Sequence, residues 1–179
     1  MQITFKAKIF LGFVSEAIAF VAGILSFSNP LHVLVFVVFP AAIGIIVWYE
    51  AIMTRRKEKD DLRRKLPHEM LGILDRITTY AGGHDISYPV WYARPEDDTA
   101  ELLGDEDYGL LKVFYGSVEA RNQYLDSRDS INISDLRKFD RACFDSFLKA
   151  YDKVPWVREA VPQTRIDDIL SKARQHSVI

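Results

Sequence analysis

The chain has 179 residues, a formal net charge of −2 and a mean hydropathy of −0.03, enough for one modest domain and an appendage. That balance carries no basic footprint for nucleic acid. The single cysteine, Cys143, excludes an internal disulfide and any CxxC zinc site.

The near-neutral average hides a division. Residues 1–53 are almost wholly apolar, while residues 54–179 are polar and highly charged. A globular domain distributes its apolar residues along the chain at helix or strand period. Concentration at one end is the pattern of a membrane-anchored chain.

Residues 9–27 are interrupted only by Ser15, Glu16 and Ser26; residues 31–49 carry no charge, and His32 is their one markedly polar side chain. At about 1.5 Å per residue each stretch just covers a hydrocarbon core of about 30 Å. In that medium backbone groups must bond within their own segment, so both are expected to be helices. Ser28, Asn29 and Pro30 between them predict an immediate reversal and an antiparallel hairpin. Trp48 and Tyr49 sit where an aromatic belt is expected. Lys6 and Lys8 flank one outer end and an Arg/Lys cluster the other, which predicts a two-span cell-membrane protein with both termini cytoplasmic. A cleaved signal peptide fits less well, because the first stretch is long, Glu16 interrupts it and no small-x-small site follows. Burying both stretches in a soluble domain of this size is harder still.

Glu16 stands near the middle of the first stretch, where an acid costs about 2.5–3.5 kcal/mol. Gly12, Glu16, Ala19 and Gly23 follow one helix face, and Ser15, Ala19 and Gly23 form a small-xxx-small row. Folding the hairpin about Asn29 brings Glu16 level with Ala41, Ala42 and Gly44, which offer no side-chain donor. Glu16 is therefore either protonated or directed at a second protomer or another membrane protein. Assembly is the preferred reading, with Gly12, Ser15, Glu16, Ala19 and Gly23 as the intramembrane face.

Residues 54–66 predict a basic helical extension. Arg55, Arg56, Lys57, Lys59, Arg63, Arg64 and Lys65 set the topology and attract anionic lipid, about 1 kcal/mol per base near the surface. The interleaved Glu58, Asp60 and Asp61 argue against a specific phosphoinositide or nucleic-acid site, and Asp60–Arg64 and Asp61–Lys65 are spaced to pair.

Residues 67–179 hold 20 acids and 14 bases and read as a cytosolic helical domain. Pro67 marks a break or a kink, and a helix over 67–81 presents Met70, Leu74 and Ile77, until Gly82 and Gly83 stop it. Residues 82–99 form a long connection in which His84, Tyr88, Trp91 and Tyr92 are candidates for contacting a protein partner, although packing onto the bundle is the commoner fate of such aromatics. A helix over 105–126 follows, with Leu111, Phe114, Tyr115, Val118 and Leu125 in period. Ser134 is the expected cap of a helix reaching Val154, whose stripe includes Leu136, Phe139, Cys143, Phe147 and Ala150. Pro155 and Pro162 bracket a short turn around Trp156, and a last helix starts at Thr164. The expected fold is all-α: a transmembrane hairpin followed by an antiparallel cytosolic bundle of about four helices.

Catalytic motifs are missing. His68, His84 and His176 have no HExxH spacing, the acids from Asp97 to Asp107 depart from a calcium loop, and GxSxG, P-loop and GxGxxG patterns are absent. Cys143 reads as a core residue; Arg121, Asn122 and Arg141 read as interhelix hydrogen-bonding groups. No cofactor or metal is expected. The layout resembles that of small two-helix membrane proteins with cytosolic helical domains. The leading expectation is a non-enzymatic, membrane-anchored interaction or assembly module. Its partners would be the bilayer, a second copy or another membrane protein, and a cytosolic protein. The alternative is an oligomeric pore with Glu16 lining the path. An enzyme working through the 82–99 segment is third, since no acid, base or nucleophile converges there.

Overall fold

The structure is a computed structural model that describes residues 14, 15, 17, 18, 38–79, 84–127, 131–176 and 178. The described residues are helical and contain no strand, as the all-α expectation requires. Seven helices can be delimited: α1 Phe39–Thr79, α2 Pro89–Tyr92, α3 Glu96–Leu103, α4 Asp105–Asp126, α5 Ile133–Lys153, α6 Pro155–Ala160 and α7 Gln163–Gln175. The chain divides into two compact units, Met1–Glu58 and Lys59–Ile179.

In the first unit Val14, Ser15, Ala17 and Ile18 are helical, as is the start of α1. Most of the expected hairpin, with Gly12, Glu16, Ala19 and Gly23 on its proposed face, lies outside the described residues. Among the described residues no helix is long and apolar enough to cross a membrane. The apolar part of α1 is exposed: Phe39, Ile43, Ile45, Ile46, Val47, Trp48 and Tyr49 each keep 40% or more of their accessible surface.

The second unit is built on one core. The second half of α1 contributes Leu62, Leu66, Met70, Ile73, Leu74 and Ile77; α4 adds Leu111, Phe114, Tyr115 and Val118; α5 adds Cys143, Phe144, Phe147 and Ala150; α7 closes it with Ile166, Ile169 and Ala173. The principal packing partners are α4 and α5.

Four expectations about the elements need correction. Pro67 does not break the chain, for it is a buried residue inside α1. Its ring costs the helix about 3 kcal/mol. The buried stripe continues in phase across it, from Leu62 and Leu66 to Met70 and Ile73, so tertiary burial on both sides offsets the penalty. Second, the segment 82–99 is not one long loop, because it contains α2 and the start of α3. Pro89 suits the first turn of α2, and Glu96, Asp97 and Asp98 occupy the first turn of α3. Gly104, at φ 92°, separates α3 from α4 in a conformation that favours glycine, and Asp105, Glu106 and Asp107 fill the next first turn. The acidic run is thus divided over two helix starts. Third, α5 is capped by Asn132 and not Ser134: the Asn132 side chain accepts from the Ser134 N–H at 2.9 Å. Fourth, the turn around Trp156 is the helix α6.

Candidate functional site

Residues 84–92 form a strap fastened to α1, α4 and α5 by three polar anchors. Asn122 on α4 accepts from the Ile86 N–H at 3.1 Å and donates to the Ile86 carbonyl at 2.9 Å, so one side chain imitates a strand partner. Glu69 on α1 accepts from Val90 N–H at 2.7 Å and Trp91 N–H at 3.2 Å, the free donors at the start of α2. It also accepts from the Tyr115 hydroxyl at 2.9 Å. Burial, and then the charge of Glu69, push the Tyr115 phenol well above its ordinary value, so it remains a donor.

The third anchor is ionic. Arg121 on α4 and Asp140 on α5 are almost fully buried, with Nε to Oδ1 at 2.6 Å, and Arg121 Nη1 donates to the His84 carbonyl at 3.1 Å. Burial raises the Asp140 carboxyl above its ordinary value while Arg121 pulls it back. The expected interhelix role of Arg121 is therefore met; Asn122 bonds the non-helical part of the strap and not a helix, and Arg141 is exposed.

The aromatics of the strap are largely packed. Trp91 stacks on Tyr115 at 4.4 Å and on Tyr108 at 5.5 Å between ring centroids. Tyr88 is buried beside Tyr115 and Tyr92, and burial raises its phenol first of all. His84 is exposed, and Tyr92 is 61% exposed with its hydroxyl 3.4 Å from Glu119. Of the four candidate partner residues, only these two present much surface.

The basic cluster is equally divided. Arg63 lies in the bundle: its guanidinium is 5.7 Å from the Trp156 ring and 3.9 Å from Asp107, and Trp156 Nε1 donates to the same carboxylate at 2.7 Å. Its guanidinium is directed at protein groups. Arg64 pairs with Asp61 at 3.1 Å, not with the expected Asp60, and Lys65 pairs with Asp61 at 2.7 Å. The Lys65 bond is the main cause that lowers the Asp61 carboxyl. Arg55 lies 3.7 Å from Glu58, and Arg56 and Lys57 are exposed. Lys59 is half-buried.

Between α1 and the strap runs a groove of about 490 Å³. Arg64, Lys65, His68, Gly72 and Arg76 line it from α1 and Ser87 from the strap, with Glu69 beside them. His68, Glu69, Gly72, Arg76 and Ser87 were not among the residues that the sequence singled out for binding. One signal was readable: neither His68 nor Arg76 has an acid three or four residues away on the helix.

Cys143 is fully buried on the stripe of α5, and burial pushes its thiol up to about 12. Among the described residues no group of three or more His, Cys, Asp or Glu could hold a metal ion. Comparison with protein-family models, with curated proteins and with solved structures finds no match for the chain.

Proposed function

We propose that the chain is a membrane-anchored helical interaction module, with residues 9–27 and 31–49 as a hairpin in the bilayer and the unit from Lys59 as a docking domain at the cytoplasmic face. One observation carries the anchor: the first part of α1 is apolar on every side, and much of that surface is exposed. Ile43, Ile45, Ile46, Val47 and Trp48 point around the full circumference at 100° per residue, and each is at least 40% exposed. So much contiguous apolar surface calls for a membrane or a partner of like polarity. The absence of charge over residues 31–49 favours lipid. The basic residues that follow, with Arg56 and Lys57 exposed, favour a cytoplasmic outer end. The face of Gly12, Ser15, Glu16, Ala19 and Gly23 gives the module its self-assembly or membrane-protein contact.

Fractionation of the expressed chain tests this. It should stay with membranes through an alkaline wash, and a protease added to inside-out vesicles should remove the C-terminal unit. Recovery in the high-speed supernatant without detergent would refute the anchor. Cysteines placed at Gly12, Ala19 and Gly23 should crosslink in lipid, and a chain that stays uncrosslinked and monomeric there has no assembly face. The second reading, an ion-conducting assembly, rests on Glu16 as a mid-stretch acid for which the sequence offers no evident partner in the opposite stretch. Ion flux in liposomes that disappears with Glu16→Ala would establish it.

A further inference from the structure

We propose that the groove between α1 and the strap is a binding site for a phosphorylated ligand carrying more than one phosphate. The inference uses the unit from Lys59 alone and is independent of the hairpin. Lys65, Gly72 and Arg76 are seven and four residues apart, so they share one face of α1 and span about 16 Å at about 1.5 Å per residue. His68 and Arg64 flank that face from the same helix, and the Ser87 hydroxyl stands across the groove. A helical side chain leans toward the N-terminus, which brings Arg76 back over Gly72. Gly72 leaves the middle bare: a Cβ added there would meet nothing within 4 Å.

The alternative is an ordinary solvated basic face, and three features weigh against it. The bases lie in a concave surface, not on a convex ridge. The acid that lines the groove, Glu69, keeps its charge but turns its oxygens to two backbone N–H groups and the Tyr115 hydroxyl, and Arg64, Lys65 and Arg76 outnumber it there. His68 and Arg76 take no part in the ion pairs of the described residues, while Arg64 and Lys65 share the single carboxylate of Asp61. Those pairs are exposed, and exposed pairs are weak. A phosphate, with three acceptor oxygens and up to two charges, can displace them. The length of the row suits an extended ligand with separated phosphates better than one inorganic ion.

Such phosphates could belong to a free metabolite or to a lipid headgroup. The test is binding of inositol trisphosphate to the full chain in detergent, followed by retention of phosphatidylinositol bisphosphate by the full chain in phosphatidylcholine nanodiscs. Gly72→Leu puts bulk where the groove is bare and raises helix propensity, and its melting transition, measured beside binding, separates an obstructed groove from an unfolded bundle. Arg76→Ala should weaken binding about tenfold or more, since a charge-assisted bond lost to phosphate is worth at least that factor, and Gly72→Leu should weaken it by obstruction. Arg158→Ala, an exposed base on α6, should leave binding unchanged. Binding of the free probe with this pattern assigns a soluble ligand, and retention of the lipid alone with this pattern assigns a headgroup. If neither binds, or if Gly72→Leu binds as well as the parent chain, the groove is not a phosphate site.

Discussion

The two halves of α1 are one helix with opposite chemistry. From Phe39 to Tyr49 the apolar side chains surround the axis and are exposed; from Leu62 to Ile77 they form a single stripe that is almost completely buried. The halves differ in how much of the helix is apolar and in how that surface is distributed around the axis. A stripe can be satisfied by neighbouring helices on one side, whereas an all-round apolar surface needs cover on every side, from protein or from lipid.

A charge introduced into each half sharpens that contrast most. Met70→Lys places an ammonium in the sealed core and should destabilise the bundle by about 4 kcal/mol or more, enough to abolish its cooperative melting in detergent. Ile46→Lys should leave that transition in place and instead weaken retention in the membrane fraction, by about 2.5–3.5 kcal/mol for a charge at depth. A large loss of bundle stability with Ile46→Lys would mean that protein, not lipid, covers the first half.

Within the bundle the next effect belongs to the buried ion pair. Arg121→Met removes the cation that opposes the burial of Asp140 and should cost about 3–5 kcal/mol at neutral pH. Burial already holds the Asp140 carboxyl above its ordinary value of 3.8, and loss of Arg121 raises it further. A carboxyl whose native value exceeds its unfolded value stabilises the fold below the unfolded value and loses that contribution as pH rises through the native one. The penalty of Arg121→Met must therefore shrink as pH falls toward the ordinary carboxylate range. Melting curves at the two pH values read this directly, and an equal penalty at both contradicts it.

Glu69→Leu should cost about 2–3 kcal/mol, because two backbone donors and a buried hydroxyl lose their acceptor. Amide exchange should then quicken at Val90 and Trp91 before it does in the core of α4; uniform quickening would mean that the strap is not a separate cooperative unit. The smallest effect concerns Cys143. With burial holding its thiol at about 12, it should resist alkylation at neutral pH until the bundle unfolds, and rapid labelling of the folded chain would disprove that packing.

Much of the bundle was legible as period. Leu111, Phe114, Tyr115 and Val118, and likewise Leu136, Cys143, Phe147 and Ala150, repeat at helical spacing and are buried where that spacing puts them. Pro67 was misread because local propensity favours a stop there, and only the stripe on either side overrides it. The strap was half legible: its aromatics were visible, but their packing depends on Glu69 and Tyr115, which are 46 residues apart. Arg121 is legible as an interhelix group, but its partner is not: Asp140 stands among apolar residues on the stripe of its own helix, and only packing shows that the two opposite charges meet.

What the sequence determined by itself was the helical class, the apolar concentration in residues 9–49 and the core stripes, because hydrophobic burial follows a period that can be counted along one helix. What only the tertiary structure decided was which polar groups meet. The anchoring of the strap joins residues from different helices, and the basic face of α1 becomes one wall of a groove only because the strap lies beside it, a distance fixed by packing and not by spacing in the chain.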